Sequence, residues 1–351
     1  MSALKKILIL FLIGAGILYL LDKEFSVFPI RSTMVEKPVS KQTEIVSKPE
    51  VKIDPISELE GELYAWMGKD IEKLTKELGE PVRKDLSSYG YTWWVYTNKS
   101  DQYIQFGIRD EKIVTLFATG NNLSSEPVYI GQAYEEIDET FGFEKEVSFS
   151  TYRFQLSDEE IKVKPLIKLD EETFIQFYFD TFTNKLSSIR ILSKDVLLTQ
   201  RPYEIFYRGE LPATPLISDK EWESIEVGME QQIFDITNII RKRFGESQLE
   251  WEDSAAEVAF GHSKDMSENN YFSHYTLDGR GLKERLSSKS IIYASAGENI
   301  AAQYTDGPAV VEGWLNSKGH REALLKSDYT HLGIGVYRYY YTQNFLKKLS
   351  Q

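Results

Sequence analysis

All four histidines of the chain, His262, His274, His320 and His331, lie within about seventy residues near its C-terminal end. Histidine is the side chain that most often serves as an acid, a base or a metal ligand at neutral pH. The same stretch contains the run Gly-Glu-Asn-Ile at residues 297–300. The residue types therefore place a candidate site for acid–base or metal-binding chemistry in this region.

The composition limits that chemistry. None of the 351 residues is a cysteine, which excludes thiolate nucleophiles, disulfides, iron–sulfur clusters and cysteine-ligated zinc. The formal net charge of −13 argues against a general nucleic-acid binder, because such a protein needs a basic face to neutralise phosphates. With 42% hydrophobic and 27% charged residues the chain is globular, and its many aromatic residues favour large cores with much β-structure.

Residues 1–24 are interpreted as a membrane segment. Lys5 and Lys6 precede an uncharged run over residues 7–21. The lysines place the N-terminus on the cytoplasmic side of the membrane and the rest of the chain on the outer side. Because the run lacks a small-x-small cleavage site, we expect a single-pass anchor, with secretion after signal cleavage as the alternative. Residues 25–57 contain four prolines among polar residues and are predicted to form an extended stalk.

Residues 58–200 contain a weak internal repeat with an offset of 63 residues, from GKDIEKLTKELGEP at Gly68 to GQAYEEIDETFGFE at Gly131. In each copy, apolar residues recur every three or four positions before a glycine that would cap a helix. Strand-like runs follow each helix, so we predict an α+β domain of two helix-plus-antiparallel-sheet repeats. Trp93 and Trp94 could form a ligand platform, but strand alternation favours core packing for one of the two.

Three prolines between residues 202 and 215 indicate a linker, which we place at residues 201–218. The last domain is predicted to span residues 219–351. It should begin with a helix over residues 219–244, because apolar side chains repeat there at spacings of three and four. These side chains are Ile225, Met229, Ile233, Ile236 and Ile240.

Several motifs occur together and in order in this last domain. They are Asn238-x-x-Arg241, Leu249-x-Trp251, His262-Ser263-x-Asp265-Met266, Phe272-Ser273-His274, Gly297-Glu298-Asn299 and Trp314-x-x-Ser317-x-x-His320-Arg321. With these motifs, about residues 220–345 resemble the CAP superfamily of cysteine-rich secretory, antigen 5 and pathogenesis-related proteins, in a bacterial form without disulfides. The preceding repeat domain resembles the CAP-associated N-terminal domain of Gram-positive surface proteins. The resemblance implies an α+β fold whose C-terminal part is a three-layer α-β-α sandwich with a central cleft.

The resemblance also implies which residues line that cleft, typically two histidines and two acidic residues. By motif, His274 matches the first histidine, Glu298 the first glutamate and His320 the second histidine. In many family members the second glutamate lies three residues after a tryptophan. Here Ser317 stands at that distance from Trp314, so one acidic residue is absent or is supplied from elsewhere.

Two imidazoles and one carboxylate permit two kinds of chemistry. His274 and His320 could bind zinc or another divalent metal, for which three protein ligands and a water form the usual catalytic set. His274, Glu298 and His320 could instead be catalytic residues that act as acid and base on a bound water. Serine catalysis through Ser317 is disfavoured, because no nucleophile elbow surrounds it.

Each candidate also has a purely structural interpretation. Glu298 could lock its loop by hydrogen bonds, and His274 could be a half-buried structural histidine. His320 could occupy the third position of a helix that Ser317 caps. The other two histidines of the chain are expected to pack or to lie at the surface.

Three functions follow from these observations. The leading one is a membrane-anchored, extracytoplasmic CAP-domain protein that binds a ligand in a His/Glu-lined cleft without turnover, with or without a divalent metal. Cell-envelope fragments, lipids and peptides are all compatible ligands, and no nucleic-acid partner is expected. The alternatives are a metal- or His/Glu-dependent hydrolase of peptide-like or cell-envelope substrates, and a non-catalytic surface scaffold.

Overall fold

The structure is a computed structural model that describes residues 63–97, 101–121, 123–125 and 127–349. These residues belong to one compact unit. The predicted membrane segment and the predicted stalk lie outside the described residues. Within the part of the chain that the structure describes, no helix is long and apolar enough to cross a bilayer.

The first half of the described chain is built around an antiparallel sheet. A short 3-10 helix (Leu63–Trp66) and helix α1 (Ile71–Leu78) precede strands β1 (Arg83–Leu86), β2 (Thr92–Thr97), β3 (Gln102–Arg109) and β4 (Lys112–Gly120). The next elements are β5 (Ser124–Ser125), β6 (Val128–Tyr129), α2 (Tyr134–Phe141), β7 (Glu146–Phe149), β8 (Tyr152–Gln155), α3 (Glu160–Val163) and β9 (Leu166–Lys168). The half ends with β10 (Thr173–Asp180), β11 (Lys185–Ser193), α4 (Lys194–Gln200) and β12 (Glu204–Tyr207).

The two predicted repeats share one sheet. Its strand order is β1-β2-β3-β4-β11-β10-β9, so the last strands of the two repeats, β4 and β11, pair at its centre. Each repeat helix ends at a glycine with positive φ, Gly79 at 76° and Gly142 at 64°, as the repeat predicts. Trp93 is buried in one core, and the half-buried Trp94 packs against another, so the predicted core packing of one of the two is confirmed.

Two sequence expectations differ from the structure in this half. One of the strand-like runs after the second repeat helix forms β8, but β8 pairs with β7 and β12 in a separate small sheet. Strand β12 itself lies inside the stretch interpreted as a linker. The prolines on either side of this strand do not interrupt its four residues, so the stretch adds an edge strand to the N-terminal domain.

The second half is a three-layer sandwich, as the resemblance implies. Its elements are α5 (Asp219–Arg243), β13 (Glu250–Trp251), α6 (Asp253–Glu268), α7 (Leu282–Ser288), β14 (Ser295–Ala302), α8 (Gly307–Leu315), α9 (Lys318–Leu324), β15 (His331–Tyr337) and β16 (Tyr340–Lys347). The sheet order is β13-β15-β16-β14. Helix α6 lies against β15 so closely that a Cβ on Gly335 would meet the backbone nitrogen of Phe260 at 1.8 Å.

Helix α5 joins the two halves. Its predicted apolar stripe is buried, and its first turn carries a capping box between Ser218 and Glu221. The stripe belongs to a single core that includes Val95 and Phe117 of the large sheet as well as Ile334 of the C-terminal sheet. The described part of the N-terminal domain and the C-terminal domain therefore share buried apolar surface.

Candidate functional site

Four elements of the C-terminal domain converge on the candidate site. Strand β14 carries Glu298, and the loop between α6 and α7 carries His274. Arg285 lies on α7, and His320 lies on α9. The fold thus brings together residues separated by up to 46 positions in the sequence, from His274 to His320.

His274 and Glu298 are directly bonded. The Nδ1 of His274 lies 2.8 Å from Oε1 of Glu298. The imidazole is 45% exposed, whereas the carboxylate is only 4% exposed. A buried carboxylate therefore holds one nitrogen of a histidine whose ring is open to solvent.

Arg285 occupies the other side of the same carboxylate. Its Nη2 donates to Oε1 of Glu298 at 3.0 Å, and its Nη1 lies 2.8 Å from Oε2. The same Nη2 also donates to the backbone carbonyl of His274 at 2.9 Å. Arg285 therefore fixes both the carboxylate and the loop that carries the histidine.

The charge state of Glu298 follows from these bonds. Burial by itself raises the pKa of its carboxyl, but hydrogen bonds from His274 and Arg285 outweigh burial and leave the pKa below its ordinary value. Glu298 is therefore ionised at neutral pH and acts as an acceptor toward both partners. Since an ionised carboxylate needs a donor, Nδ1 of His274 carries the proton.

His320 lies in the first turn of α9, at the third helical position after Ser317, as its structural interpretation proposes. The Nδ2 of Asn299 donates to the His320 backbone carbonyl at 3.1 Å, which ties α9 to the strand that carries Glu298. Burial, with a smaller contribution from the charge of His274, lowers the pKa of His320 to about 4. His320 is therefore a neutral imidazole at physiological pH.

His262 lies behind the site. Its side chain is buried in α6, and its Nε2 is 2.9 Å from the backbone carbonyl oxygen of Ser273, the residue before His274. Burial, with a contribution from the charge of Arg285, lowers its pKa to about 4. His331 opens β15, with Nε2 3.5 Å from a carboxylate oxygen of Glu250.

An open cleft of about 400 Å³ adjoins the His274–Glu298 pair. It is lined by His274, Tyr275, Gly281, Leu282, Lys283, Glu284 and Glu298. The lining combines one lysine, two glutamates, an imidazole and two larger apolar or aromatic side chains. The cleft therefore offers charges of both signs together with apolar surface.

Comparison with known proteins decides the family. The model of the cysteine-rich secretory protein family, CAP, matches residues 234–347, and the CAP-associated N-terminal model matches residues 67–203. The uncharacterized membrane protein YlbC of Bacillus subtilis (strain 168) is 50% identical over 290 residues, which cover 82% of this chain and 84% of YlbC. This chain belongs to the CAP family.

Solved structures agree with this assignment. An extracellular protein containing an SCP domain from Bacillus anthracis str. Ames is 42% identical, with a TM-score of 0.78 over 86% of this chain and 100% of its own. A cysteine-rich secretory protein from Staphylococcus aureus subsp. aureus Mu50 is 29% identical, with a TM-score of 0.71 over 82% of this chain and 96% of its own. The protein is a CAP-domain protein of the extracellular type, and both the CAP domain and its associated N-terminal domain are present.

Only some of the predicted site residues line the cleft. His274 and Glu298 meet at the cleft of the CAP domain. His320, on α9, interacts electrostatically with His274 but does not line that cleft. Ser317, which stands where many family members have a second glutamate, is the N-cap residue of α9. The catalytic and metal-binding roles assigned to these residues remain predictions.

Sequence reasoning missed Arg285. A signal was present, because Arg285 is three residues after Leu282 and directly before Leu286, on the apolar side of a short helix. An arginine in such a position is buried and needs a carboxylate partner. The sequence could have indicated the need, but it could not identify Glu298 as the partner.

The arrangement of these side chains does not fit a three-ligand metal site. Both oxygens of Glu298 face Arg285, and Oε1 also accepts from His274. Only the imidazoles of His274 and His320 remain as ligands, one fewer than the usual catalytic zinc set. Among the described residues, no group of three or more His, Asp or Glu side chains could hold a metal ion.

Proposed function

We propose that this CAP domain binds a peptide-like ligand of the cell envelope in the cleft beside His274, outside the membrane and without turnover. The observation that carries the proposal is the fixed orientation of His274. Its Nδ1 is held by Glu298, while its ring is half-exposed beside the cleft. In its neutral form, with the proton on Nδ1, this imidazole has a free acceptor at Nε2. That acceptor suits a backbone N–H or a hydroxyl of a ligand.

The lining of the cleft favours a peptide-like ligand over an acyl chain. Lys283 and Glu284 offer a cation and an anion, while Tyr275 and Leu282 offer apolar contact. A peptide has charged ends or side chains, polar amides and apolar groups, and it can use all of these contacts. A volume of about 400 Å³ also falls within the range typical of small-ligand sites.

Binding without turnover agrees with the bonds of Glu298. Because Arg285 and His274 both bond to its carboxylate, Glu298 cannot abstract a proton without giving up an ion pair. The position at which many family members carry a second glutamate holds Ser317. Beside His274 there is thus one orienting carboxylate, that of Glu298. The other glutamate of the lining, Glu284, accepts from the backbone N–H of Gly281 at 2.9 Å.

A hydrolase is the second candidate, and one observation favours it. A carboxylate bonded to Nδ1 of a histidine is the arrangement that orients a general base in many hydrolases. In that role Nε2 of His274 would take the proton from a water that attacks a peptide-like substrate, and Glu298 would stabilise the imidazolium. A peptide-like molecule can therefore be used to test both binding without turnover and hydrolysis.

The location outside the membrane is part of the proposal. The lysines and the apolar run of residues 1–24 support an uncleaved single-pass anchor. The name of YlbC, a membrane protein, and the extracellular description of the Bacillus anthracis protein support the same placement. Such an anchor would hold the cleft next to cell-envelope peptides.

Calorimetry with defined probes tests the proposed function. The full chain in detergent micelles is titrated with a synthetic peptidoglycan stem peptide and, separately, with palmitate. We expect saturable binding of the peptide that is lost in His274→Phe and retained in His331→Phe, because His331 does not line the cleft. Mass spectrometry of the recovered peptide distinguishes binding from hydrolysis. Binding of palmitate but not of the peptide would contradict the proposal. Equal peptide binding by His274→Phe and His331→Phe would contradict it as well.

A further inference from the structure

The hairpin formed by β10 and β11 of the N-terminal domain packs against the helices that lead to His320. Asp180 at the end of β10 is 1% exposed and accepts two bonds from Arg321, at 2.8 Å from Nη1 and 2.9 Å from Nη2. Such a paired contact fixes direction as well as distance. Arg321 directly follows His320, at the midpoint of α9.

We propose that the N-terminal domain positions His320 through the Asp180–Arg321 pair, so that the candidate site of the CAP domain depends on a second domain. The significance of this role for ligand binding rests on the proposed function. The coupling itself rests on contacts that are independent of any ligand. Asp180 and Arg321 are accordingly positioning residues, because neither lines the cleft.

Asp180 is itself held rigidly. Its Oδ1 accepts from the backbone N–H of Phe182 at 3.0 Å, and its Oδ2 accepts from the hydroxyl of Thr183 at 2.9 Å. The ring of Phe182 lies 4.8 Å from the guanidinium carbon of Arg321. The carboxylate therefore presents a fixed acceptor to α9, and an aromatic face adds to the contact.

The turn between α8 and α9 is bonded to the same hairpin. The Oδ1 of Asn316 accepts from the backbone N–H of Thr181 at 2.8 Å, and its Nδ2 donates to the carbonyl of Phe179 at 2.9 Å. Within α8, Oε1 of Glu312 accepts from the hydroxyls of Ser187 and Ser188 at 2.9 and 2.7 Å. The N-terminal domain thus contacts α8, the turn and α9 in succession.

Helix α9 needs such support. It has seven residues, and helices this short are not stable without tertiary contacts. Its N-cap residue, Ser317, makes no side-chain capping bond. Asn299 of the CAP sheet bonds to the carbonyl of His320, and Asp180 of the N-terminal domain bonds to Arg321. The placement of the His320 ring therefore depends on both domains.

NMR of the histidine rings measures whether the environment of the His320 ring depends on Asp180. The full chain in detergent micelles, labelled at histidine Cε1, gives one cross-peak for each of its four histidines. We expect Asp180→Asn to shift or broaden the His320 cross-peak while the His331 cross-peak stays in place. Asp180→Glu, which retains the carboxylate, should restore the His320 cross-peak at least in part.

The matched control is Asp235→Asn. Asp235 accepts from Nη1 of Arg83 at 3.0 Å, so it also joins the two domains, but through β1 and α5. We expect this change to leave the His320 cross-peak in place. If both changes move that cross-peak equally, or if neither moves it, the pair has no positioning role and the proposal fails.

A second variant keeps the test decisive if Asp180→Asn does not fold. Arg321→Lys retains the positive charge but cannot make two parallel bonds to Asp180. It should displace the His320 cross-peak without collapsing the other three, and an unchanged spectrum would overturn the proposal. Because the spectra are recorded without ligand, a failure here differs from a failure of peptide binding, which would contradict only the proposed function.

Discussion

Arg285 and Glu298 form a buried ion pair, with Nη1 and Oε2 2.8 Å apart, next to the exposed ring of His274. Taking two charges out of water is costly, and the cost is recovered only where both groups are well bonded. Here the pair also bonds the His274 backbone carbonyl and its Nδ1. The pair therefore holds the one exposed histidine of the cleft in a single orientation.

Arg285→Gln should destabilise the protein strongly. The change leaves a buried carboxylate without its cation, which typically costs about 3–5 kcal/mol of unfolding free energy. Urea unfolding of the variant and the wild-type protein measures the difference. Arg280→Gln is the matched control, since Arg280 pairs with Asp278 at the surface and such pairs contribute about 0–1 kcal/mol. Equal, small losses in the two variants would mean that Arg285 is not essential to the site.

The parts of the fold that depend on local sequence could be predicted. The repeat helices end at Gly79 and Gly142 because the turn after each helix needs positive φ, and glycine tolerates it. Helix α5 could be predicted because its apolar residues have the helical period. The strand-like runs after each repeat helix likewise predicted the strands of the large sheet.

The parts that depend on distant pairing could not be predicted. Nothing near Phe154 indicates that its strand, β8, pairs with β12 and leaves the large sheet, because pairing is decided by partners far along the chain. Asp180 and Arg321 are separated by 141 residues and look like ordinary surface charges in the sequence. The candidate site shows the same division, since motifs identified His274 and Glu298 but not the arginine that holds them.

Acid should destabilise the protein through His320. The unfolded histidine takes up a proton near pH 6.5, but the folded one does so only near pH 4. Between these values the unfolded chain binds more protons, so stability falls as the pH is lowered from about 6.5 to about 4. By pH 4.5 this histidine should account for a loss on the order of 2 kcal/mol.

Urea unfolding at pH 7 and pH 4.5 measures this loss. His320→Asn should reduce the difference in unfolding free energy between the two pH values relative to wild type. His262 contributes in the same direction, because burial lowers its pKa as well, so the variant should retain part of the acid sensitivity. An identical pH difference in wild type and variant would show that His320 is not protected from protonation in the folded state.

Zinc titration tests the predicted metal site. We expect calorimetry of the full chain near pH 7 to give no tight one-to-one binding, because Glu298 is engaged by Arg285 and only two imidazoles remain. The titration is repeated with His274→Ala and His320→Ala. Tight one-to-one binding that disappears in both variants would establish a metal site, and it would strengthen the hydrolase candidate.

Gly297 next to Glu298 should be intolerant of any side chain. A Cβ at this position would lie 2.2 Å from the hydroxyl of Tyr329, whose ring stacks on Phe345 of the neighbouring strand at 5.3 Å. Forcing a methyl group into a packed site typically costs about 1–3 kcal/mol, so Gly297→Ala should lower the urea midpoint.

The hydroxyl of Tyr329 makes this prediction specific. Tyr329→Phe removes the nearest atom, after which the closest ring atom would be 3.1 Å from the new Cβ. The double variant should therefore recover stability relative to Gly297→Ala alone, and the two losses should not add. Additive losses would mean that the glycine is required for another reason, such as the backbone path of β14. Recovery would show that the hydroxyl of Tyr329 is the group that excludes a side chain at Gly297.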